Sequence, residues 1–165
     1  MRIREGGVAD APIVLGLLDE AVEWMVARGQ TEQWGTEPWS AQPKRVARIE
    51  GLAAEGLWVG EVDGEAVGAL VLGGPPPTWI PPVDEPEVYL QLLVTSRRHQ
   101  GTRVGARMLE FAREQAWESG VSLLRVDCWA GGGGRLVDYY TGQGFTPTET
   151  FSVNGWPGQV LEMRR

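Results

Sequence analysis

The segment from residue 88 to residue 119 places the strongest constraint on how this chain folds. Val88–Thr95 is a nearly continuous apolar run, which is typical of a strand that is buried on both faces of a sheet. A turn rich in Arg and Gly follows it. Residues 102–119 then repeat apolar side chains at helical spacing, and Gly120 ends the pattern. A central strand that passes through one turn into a helix predicts an α/β fold.

The turn at residues 96–101 and the start of the following helix have the features of an anion-binding site. The first amides of a helix lack intrahelical acceptors, and the helix dipole adds partial positive charge there. Gly101, Gly105 and Ala106 are small, so phosphate groups can approach the backbone. The local basic residues are Arg97, Arg98, Arg103 and Arg107. This pattern favours a pyrophosphate site, although several nucleotide-binding folds use the same physics.

Turn residues and hydrophobic periodicity divide the rest of the chain into further elements. Asp63-Gly64 and Asn154-Gly155 each separate two strand-like runs and predict hairpins, the first with a type I′ turn. The predicted strands are 1–5, 57–62, 66–72, 88–95, 121–129, 148–153 and 159–163, and the predicted helices are 10–29, 44–54, 102–119 and 135–141. The order is therefore β-α-α-β-β-β-α-β-α-β-β, which we predict to form a single domain over residues 1–165.

Composition and charge narrow the classes of protein to which the chain can belong. A net charge of -7 argues against a general nucleic-acid binder, because neutralising phosphates needs many Lys and Arg residues. The lone Cys128 cannot form an internal disulfide, and no apolar run approaches the ~20 residues of a membrane span. We therefore expect a cytoplasmic protein without nucleic-acid or membrane partners and without a metal site.

Two short motifs resemble those of the GNAT N-acetyltransferases. Gln100, Arg103 and Gly105 lie at the positions of the family's acetyl-CoA-binding pattern Gln/Arg-x-x-Gly-x-Gly/Ala, with Arg103 in place of the middle glycine. Tyr140 begins a segment, ending at Phe145, that resembles the family's Tyr-x-x-x-Gly-Phe element. The predicted element order also agrees. The resemblance implies the GNAT fold, with a central mixed sheet flanked by helices and splayed between its fourth and fifth strands.

The resemblance further implies that acetyl-CoA is the acyl donor and that its pantetheine arm lies in the gap between those strands. Amides of Leu93, Val94 and Thr95 are expected to bind the pantetheine. The pyrophosphate is expected to contact the segment that follows, namely Gln100, Gly101, Thr102, Arg103, Val104, Gly105 and Ala106. Arg103 can keep helical backbone angles and can itself pair with a phosphate, so a different contact can replace the lost glycine.

For the acceptor, the resemblance implies a small-molecule primary amine that attacks the thioester directly in a ternary complex. Tyr140 is the expected general acid for the leaving thiolate. Glu87 is the first candidate for the general base, and a water chain is an alternative. The other acidic candidates are Asp84, Glu85 and Glu37. Trp34 and Trp39 lie in a long loop, where they either line the acceptor pocket or pack the loop onto the core.

Two features also fit a protein that has lost catalysis. One is Arg103, and the other is a run of four glycines, residues 131–134, at a place where many family members carry an Asn. Such a run is more often a flexible connector. The alternative function is thus a catalytically silent acyl-CoA-binding or interaction module. Homodimers are common in the family, and the resemblance leaves a homodimer open.

Overall fold

The computed structural model describes residues 1–99 and 101–165, and its elements follow the predicted order. The strands are β1 Arg2–Glu5, β2 Leu57–Val62, β3 Glu65–Leu72, β4 Val88–Thr95, β5 Leu123–Trp129, β6 Thr146–Val153 and β7 Trp156–Arg164. The α-helices are α1 Ala11–Val26, α2 Pro43–Gly56, α3 Val104–Glu118 and α4 Arg135–Gly142. Hydrogen bonds connect the strands in the order β1-β2-β3-β4-β5-β7-β6. The predicted mixed α/β architecture with β4 in the centre is confirmed.

The predicted helix boundaries differ from the observed ones by up to three residues, and the start of α3 is the difference that affects the candidate site. Helix α3 begins at Val104, whereas the sequence predicts its start at Thr102. The hydroxyl and the amide of Thr102 both donate to the carbonyl of His99, at 2.5 and 3.3 Å, and so hold Thr102 in the preceding turn. Arg103 has a φ of 62°, which is left-handed backbone that cannot continue into an α-helix.

The first of two compact units comprises residues 1–72 and 92–108. Strands β1, β2 and β3 form an antiparallel meander, and both residues of the β2–β3 turn are left-handed, with φ of 51° at Asp63 and 79° at Gly64. That geometry confirms the predicted hairpin. Helices α1 and α2 cover the meander, and their apolar faces join its side chains in one buried cluster. Its members include Leu18, Val22, Ile49, Val59, Val71 and Val94.

The second unit comprises residues 73–91 and 109–165. The start of β4 pairs in parallel with β5, and β5 pairs antiparallel with β7 along its full length. The β4–β5 ladder joins Val88, Tyr89 and Leu90 to the segment from Leu124 to Val126. It ends there, before either strand ends, as expected for the predicted splay.

The proline-rich loop between β3 and β4, residues 73–87, is tied to the face of the second unit. The Gln91 amide group donates to the carbonyls of Gly73 and Pro75, at 3.1 and 2.8 Å. Ile80 is buried against Tyr89 and against Val160 of β7. The loop is therefore a fixed cover over one face of β4 and β5.

The glycine run at residues 131–134 is a tight turn and not the flexible connector that its composition suggests. A Cβ atom on Gly131 would lie 2.3 Å from the Trp129 ring, and one on Gly132 would lie 2.9 Å from it. The amide of Gly134 donates to the carbonyl of Gly131 at 3.1 Å, which closes the turn. Only glycine leaves space for the Trp129 indole, so close packing explains at least two of the four glycines.

Three further expectations can be compared with the part of the chain that the structure describes. None of the described helices is long and apolar enough to cross a membrane. Within residues 1–99 and 101–165, no group of three or more His, Cys, Asp or Glu side chains could hold a metal ion. The single domain stays a prediction, because the fold contains two compact units.

Candidate active site

The turn that follows β4 is organised by Glu20, a residue of α1. Its Oε1 accepts hydrogen bonds from the Ser96 hydroxyl at 2.9 Å, from the Arg97 amide at 2.6 Å and from the Arg98 amide at 3.3 Å. A carboxylate of the protein therefore already satisfies the first amides of this turn. No local motif points to Glu20, because it lies 76 residues before Ser96 in the sequence.

Two of the four clustered arginines are likewise engaged within the protein. The Arg98 guanidinium pairs with Glu65 at 2.7 Å. The Arg97 guanidinium lies over the Trp24 ring at 4.5 Å, and burial lowers its pKa. Arg103 and Arg107 are exposed, and among the described residues neither side chain forms an ion pair. Arg103 and Arg107 are therefore the arginines best placed to meet an incoming anion.

The N-terminus of α3 supplies the amides for such an anion. The Arg107 amide donates to the Arg103 carbonyl at 3.0 Å. The amides of Val104, Gly105 and Ala106 precede it and are those that an α-helix leaves without an intrahelical acceptor. Gly101 has a φ of 83° and open space where a Cβ would be. This short segment fits a pyrophosphate group, whereas Gln100, predicted to contact it, lies outside the described residues.

The expectation that Arg103 keeps helical backbone angles is wrong. With a φ of 62°, it occupies the left-handed conformation that a glycine adopts without steric cost. For a residue with a Cβ this conformation costs about 1–2 kcal/mol. Having Arg instead of glycine at position 103 therefore destabilises the folded protein, even without a ligand.

We expect Arg103→Gly to stabilise the protein. Relief of the left-handed strain outweighs the extra freedom of glycine in the unfolded chain, for a net gain of about 0.5–1 kcal/mol, or about 1–4 °C in Tm. Thermal unfolding followed by circular dichroism measures the change. The control is Arg107→Gly, the same substitution at an exposed position inside α3, which should destabilise by about 1 kcal/mol. A lower Tm for Arg103→Gly would contradict the strain.

The last residues of β4 lead into this segment. Val94 is buried in the cluster of the first unit, so alternation along the strand turns Leu93 and Thr95 to the opposite face. The Ser96 amide donates to the Val67 carbonyl at 2.7 Å and so fixes the end of β4. The pantetheine contacts expected from the amides of Leu93, Val94 and Thr95 stay a prediction.

Tyr140 lies on α4 with its phenol enclosed by the protein. Gly144, with a φ of 102°, reverses the chain after α4 and brings the Phe145 ring edge-on to Tyr140 at 5.7 Å. Burial raises the pKa of Tyr140 above its usual value, and the neighbouring Cys128, Tyr139 and Asp127 add to this shift. The phenol therefore remains protonated at physiological pH, as a proton donor requires.

The predicted base, Glu87, is held in a buried ion pair. Both of its carboxylate oxygens accept from Arg125, at 2.5 Å from Nε and at 2.9 Å from Nη2. Arg125 is only 4% exposed and also donates to the Pro81 carbonyl at 2.9 Å. This arrangement favours a structural role for Glu87, and its role as a base stays a prediction.

Tyr89 and Asp127 form a second polar pair beside this one, which was not predicted from the sequence. The Tyr89 hydroxyl lies 2.5 Å from Oδ2 of Asp127, and burial followed by the charge of Asp127 raises the pKa of Tyr89. Tyr89 is therefore the donor and the Asp127 carboxylate the acceptor. The available signal was an acidic residue within a strand that is otherwise mostly apolar, β5.

The two loop tryptophans lie close together in the first unit. Trp39 is buried in the main cluster, and Trp34 packs against its ring edge-on at 5.8 Å. Ser40 ties the same loop to α1 by donating to Asp19 from both its amide and its hydroxyl. Trp39 thus packs the loop onto the core, and acceptor contacts by Trp34 and Trp39 stay a prediction.

Comparison with known proteins identifies similar sequences and folds. The sequence pattern of the Acetyltransferase (GNAT) family matches residues 18–145. The uncharacterised N-acetyltransferase YesJ of Bacillus subtilis strain 168 is 30% identical over 129 residues, which cover 73% of this chain and 68% of YesJ.

Two solved structures are similar to this fold over nearly its whole length. A GNAT-family acetyltransferase from Listeria monocytogenes has a TM-score of 0.75 at 21% identity, covering 99% of this chain and 94% of that one. YncA from Salmonella typhimurium, a putative acetyltransferase solved with its cofactor acetyl-CoA, has a TM-score of 0.66 at 18% identity, covering 99% and 93%. At such identities the similarity shows the fold.

Proposed function

Because the chain belongs to the Acetyltransferase (GNAT) family, we propose that it transfers an acetyl group from acetyl-CoA to a primary amine of a small molecule, by direct attack in a ternary complex. The observation that carries the proposal is the N-terminus of α3. There, the amides of residues 104–106 follow a glycine turn at the position of the family's donor-binding motif. Its geometry suits a pyrophosphate group, which acetyl-CoA contains.

In this proposal the segment from Gly101 to Ala106 binds the pyrophosphate through backbone amides. Arg103 and Arg107 add positive charge from exposed side chains, which suits the several phosphates of the donor. Glu20 keeps the turn after β4 in shape by satisfying the amides of Arg97 and Arg98. Among the described residues, the amides best placed for a ligand are therefore those at the N-terminus of α3. The amides of Leu93, Val94 and Thr95 bind the pantetheine arm.

When bound, acetyl-CoA supplies a thioester carbonyl that an amine can attack and a sulfur that leaves as a thiolate. Tyr140 is the proposed general acid. Burial raises its pKa, so it holds its proton until a strong base is present. Tyr140 gives this proton to the sulfur as the carbon–sulfur bond breaks, so that the leaving group departs as a neutral thiol.

Calorimetric titration of the purified protein with acetyl-CoA tests the donor site. We expect micromolar binding by the wild type and similar affinity in Arg103→Gly, because the closer approach of phosphate to the backbone offsets the positive charge that is lost. Amine-dependent release of free CoA thiol from acetyl-CoA, across a panel of primary amines, then tests transfer. Binding without turnover on the whole panel would favour the alternative, a catalytically silent acyl-CoA-binding module. The absence of any binding would contradict the proposal itself.

A cytoplasmic location belongs to the same proposal. Cys128 is buried and carries a free thiol, so folding does not require an oxidising compartment. This supports the proposed location. A homodimer is also proposed from the resemblance, and size-exclusion chromatography with light scattering measures the mass that decides it.

A further inference from the structure

Basic residues lie at the N-terminus of α2, where a helix favours acidic ones. Lys44 and Arg45 follow Pro43 in the first turn, which contains no Asp or Glu, and Arg48 comes three residues after Arg45. The helix dipole places partial positive charge at this end, so cations are disfavoured there. Among the described residues, none of these basic side chains forms an ion pair. The start of α2 therefore carries positive charge that these residues do not neutralise.

Arg45 holds part of that charge in a partly dehydrated place. Its side chain is half-buried, and its guanidinium carbon lies 4.1 Å from the centre of the Trp39 ring. Burial lowers the pKa of Arg45, and the charge of Arg48 adds to this shift. Asp19, the carboxylate bound to this loop, accepts from Ser40 and not from Arg45. A guanidinium that is partly withdrawn from water normally has an acceptor, because dehydration without one is costly.

The Trp39 indole is a second donor in the same place. Trp39 is only 8% exposed, and its Nε1 is buried without an acceptor in the part of the chain that the structure describes. Most buried polar side-chain atoms have a partner, so an unpaired one needs an explanation. The Arg45 guanidinium lies against the same ring. Two kinds of donor thus meet here, and the described residues supply no acceptor for either.

From these contacts we infer that Trp39 Nε1 and the Arg45 guanidinium form a binding site for the carboxylate of a small molecule. One carboxylate oxygen can accept from Trp39 and the other from Arg45. A phosphate monoester carries nearly two negative charges, whereas Arg45 is the cation that contacts Trp39 within the described residues. The inference goes beyond the proposed function, because such binding requires neither acetyl-CoA nor acyl transfer.

The position of Arg45 also explains how a ligand reaches the buried Nε1. A cation–π contact holds the guanidinium over the ring, and no hydrogen bond to a described residue fixes it. Such a contact is weak at a partly exposed site, so the side chain can turn outward to meet an anion. Trp34, half-buried and edge-on to Trp39 at 5.8 Å, offers apolar surface beside the site. We therefore expect the carboxylate to be attached to an apolar or aromatic group.

Calorimetric titration of the free protein with 3-phenylpropionate, beside the neutral 3-phenylpropanamide, tests the site. We expect the carboxylate to bind at least about tenfold more tightly than the amide, because the amide forms no charged hydrogen bond with Arg45. Arg45→Met should remove this preference. Trp39→Phe keeps an aromatic ring but lacks the N–H, and it should weaken binding of the carboxylate about 3- to 10-fold.

Arg48→Met is the matched control, since it removes the same charge from an exposed position of the same helix. We expect it to change the affinity for the carboxylate by less than about threefold, because water and salt screen an exposed charge. Thermal unfolding of each variant confirms that it is folded. Arg45→Met replaces a half-buried side chain and leaves the buried cluster complete, so it tests the site even if Trp39→Phe is unstable.

The indole proton of Trp39 gives a readout that loss of packing would not produce. Its NMR signal is assigned by its absence from the spectrum of Trp39→Phe. We expect this signal to move downfield as the wild type is saturated with 3-phenylpropionate, because the N–H then donates to the carboxylate. The amide probe should leave it nearly unchanged.

Two sources of the carboxylate can be distinguished by kinetics. If the acceptor itself carries it, Arg45→Met should raise the KM only for those amines of the panel that also contain a carboxylate. If it belongs to a separate ligand, 3-phenylpropionate should bind without competing with any acceptor. Either result supports the site.

The inference is overturned if the wild type binds carboxylate and amide equally, if Arg45→Met keeps the preference, or if the Trp39 signal does not move. Tighter binding of phenyl phosphate than of 3-phenylpropionate would also overturn it, as to the class of ligand. All these results leave the proposed function standing. Failure to bind acetyl-CoA overturns the proposed function alone, because the carboxylate titrations are made on the free protein.

Discussion

Tyr140→Phe should lower kcat for acetyl transfer by about 10²–10⁴-fold, the usual contribution of a positioned general acid. The substitution removes one hydroxyl and keeps the ring that packs against Phe145, so the fold and the affinity for acetyl-CoA should be unchanged. Initial rates of CoA release at saturating substrate measure kcat, and calorimetry measures the binding of acetyl-CoA. An unchanged kcat, with turnover limited by chemistry, would assign the proton to another donor.

Tyr139→Phe is the matched control for this prediction. Tyr139 is adjacent in sequence and carries the same hydroxyl, but it is 38% exposed and points in a different direction from α4. We expect its loss to leave kcat near the wild-type value. If the two variants lost activity equally, packing of α4 would explain the effect better than proton donation.

The pH dependence of the wild type follows from the sign of the Tyr140 shift. A raised pKa means that the phenol keeps its proton above its ordinary value near 10. Activity should therefore show no loss attributable to Tyr140 below pH 10. The same sign applies to stability, because the folded state then holds a proton that the unfolded state releases, so this contribution declines as the pH rises past about 10.

Arg125→Met should lower the free energy of unfolding by about 3–5 kcal/mol, since it leaves the Glu87 carboxylate in a nearly dry site without its cation. The Pro81 carbonyl also loses its donor, which loosens the loop of residues 73–87. For a chain of this size the expected fall in Tm is about 6–20 °C. Chemical denaturation with urea measures the free energy directly.

A double-mutant cycle with Glu87→Gln distinguishes the ion pair from simple loss of packing. The double variant has no unpaired charge, so it should lose about 1–3 kcal/mol less than the sum of the two single variants. Arg164→Met, which removes an exposed pair with Glu85 at 2.6 Å, is the control and should be close to the wild type. Strict additivity at Arg125 and Glu87 would mean that the pair is not coupled.

Local signals in the sequence were sufficient for most of the fold. Asp63-Gly64 and Asn154-Gly155 prescribe left-handed turns, because few other dipeptides adopt two successive positive φ angles cheaply. The apolar run at Val88–Thr95 predicted the central strand with its observed bounds. Such features depend on neighbours within a few residues, so they can be read without the tertiary structure.

Some features of the candidate site could be predicted from the sequence, and others could not. The segment from Gly101 to Ala106 is contiguous, and its role as a helix N-terminus follows from sequence. The left-handed backbone of Arg103 cannot be predicted from the sequence, because an Arg is compatible with a helix. Only the turn closed by Thr102 forces it into the left-handed region. The glycine run was misread for the same reason, since the Trp129 ring that needs its space is seen only in the folded chain.

By itself, the sequence determined the element order, both hairpin turns and the central strand, and it showed the resemblance of residues 100–105 to the family's donor-binding pattern. All of these rest on short-range chemistry. Only the tertiary structure decided that the Glu20 carboxylate accepts hydrogen bonds from the turn 76 residues away. The same holds for the ion pair of Arg125 with Glu87 and for the hydrogen bond from Tyr89 to Asp127. These three contacts join residues from different elements. Their partners are selected by the pairing of strands and the packing of helices, which bring distant side chains to within hydrogen-bond distance.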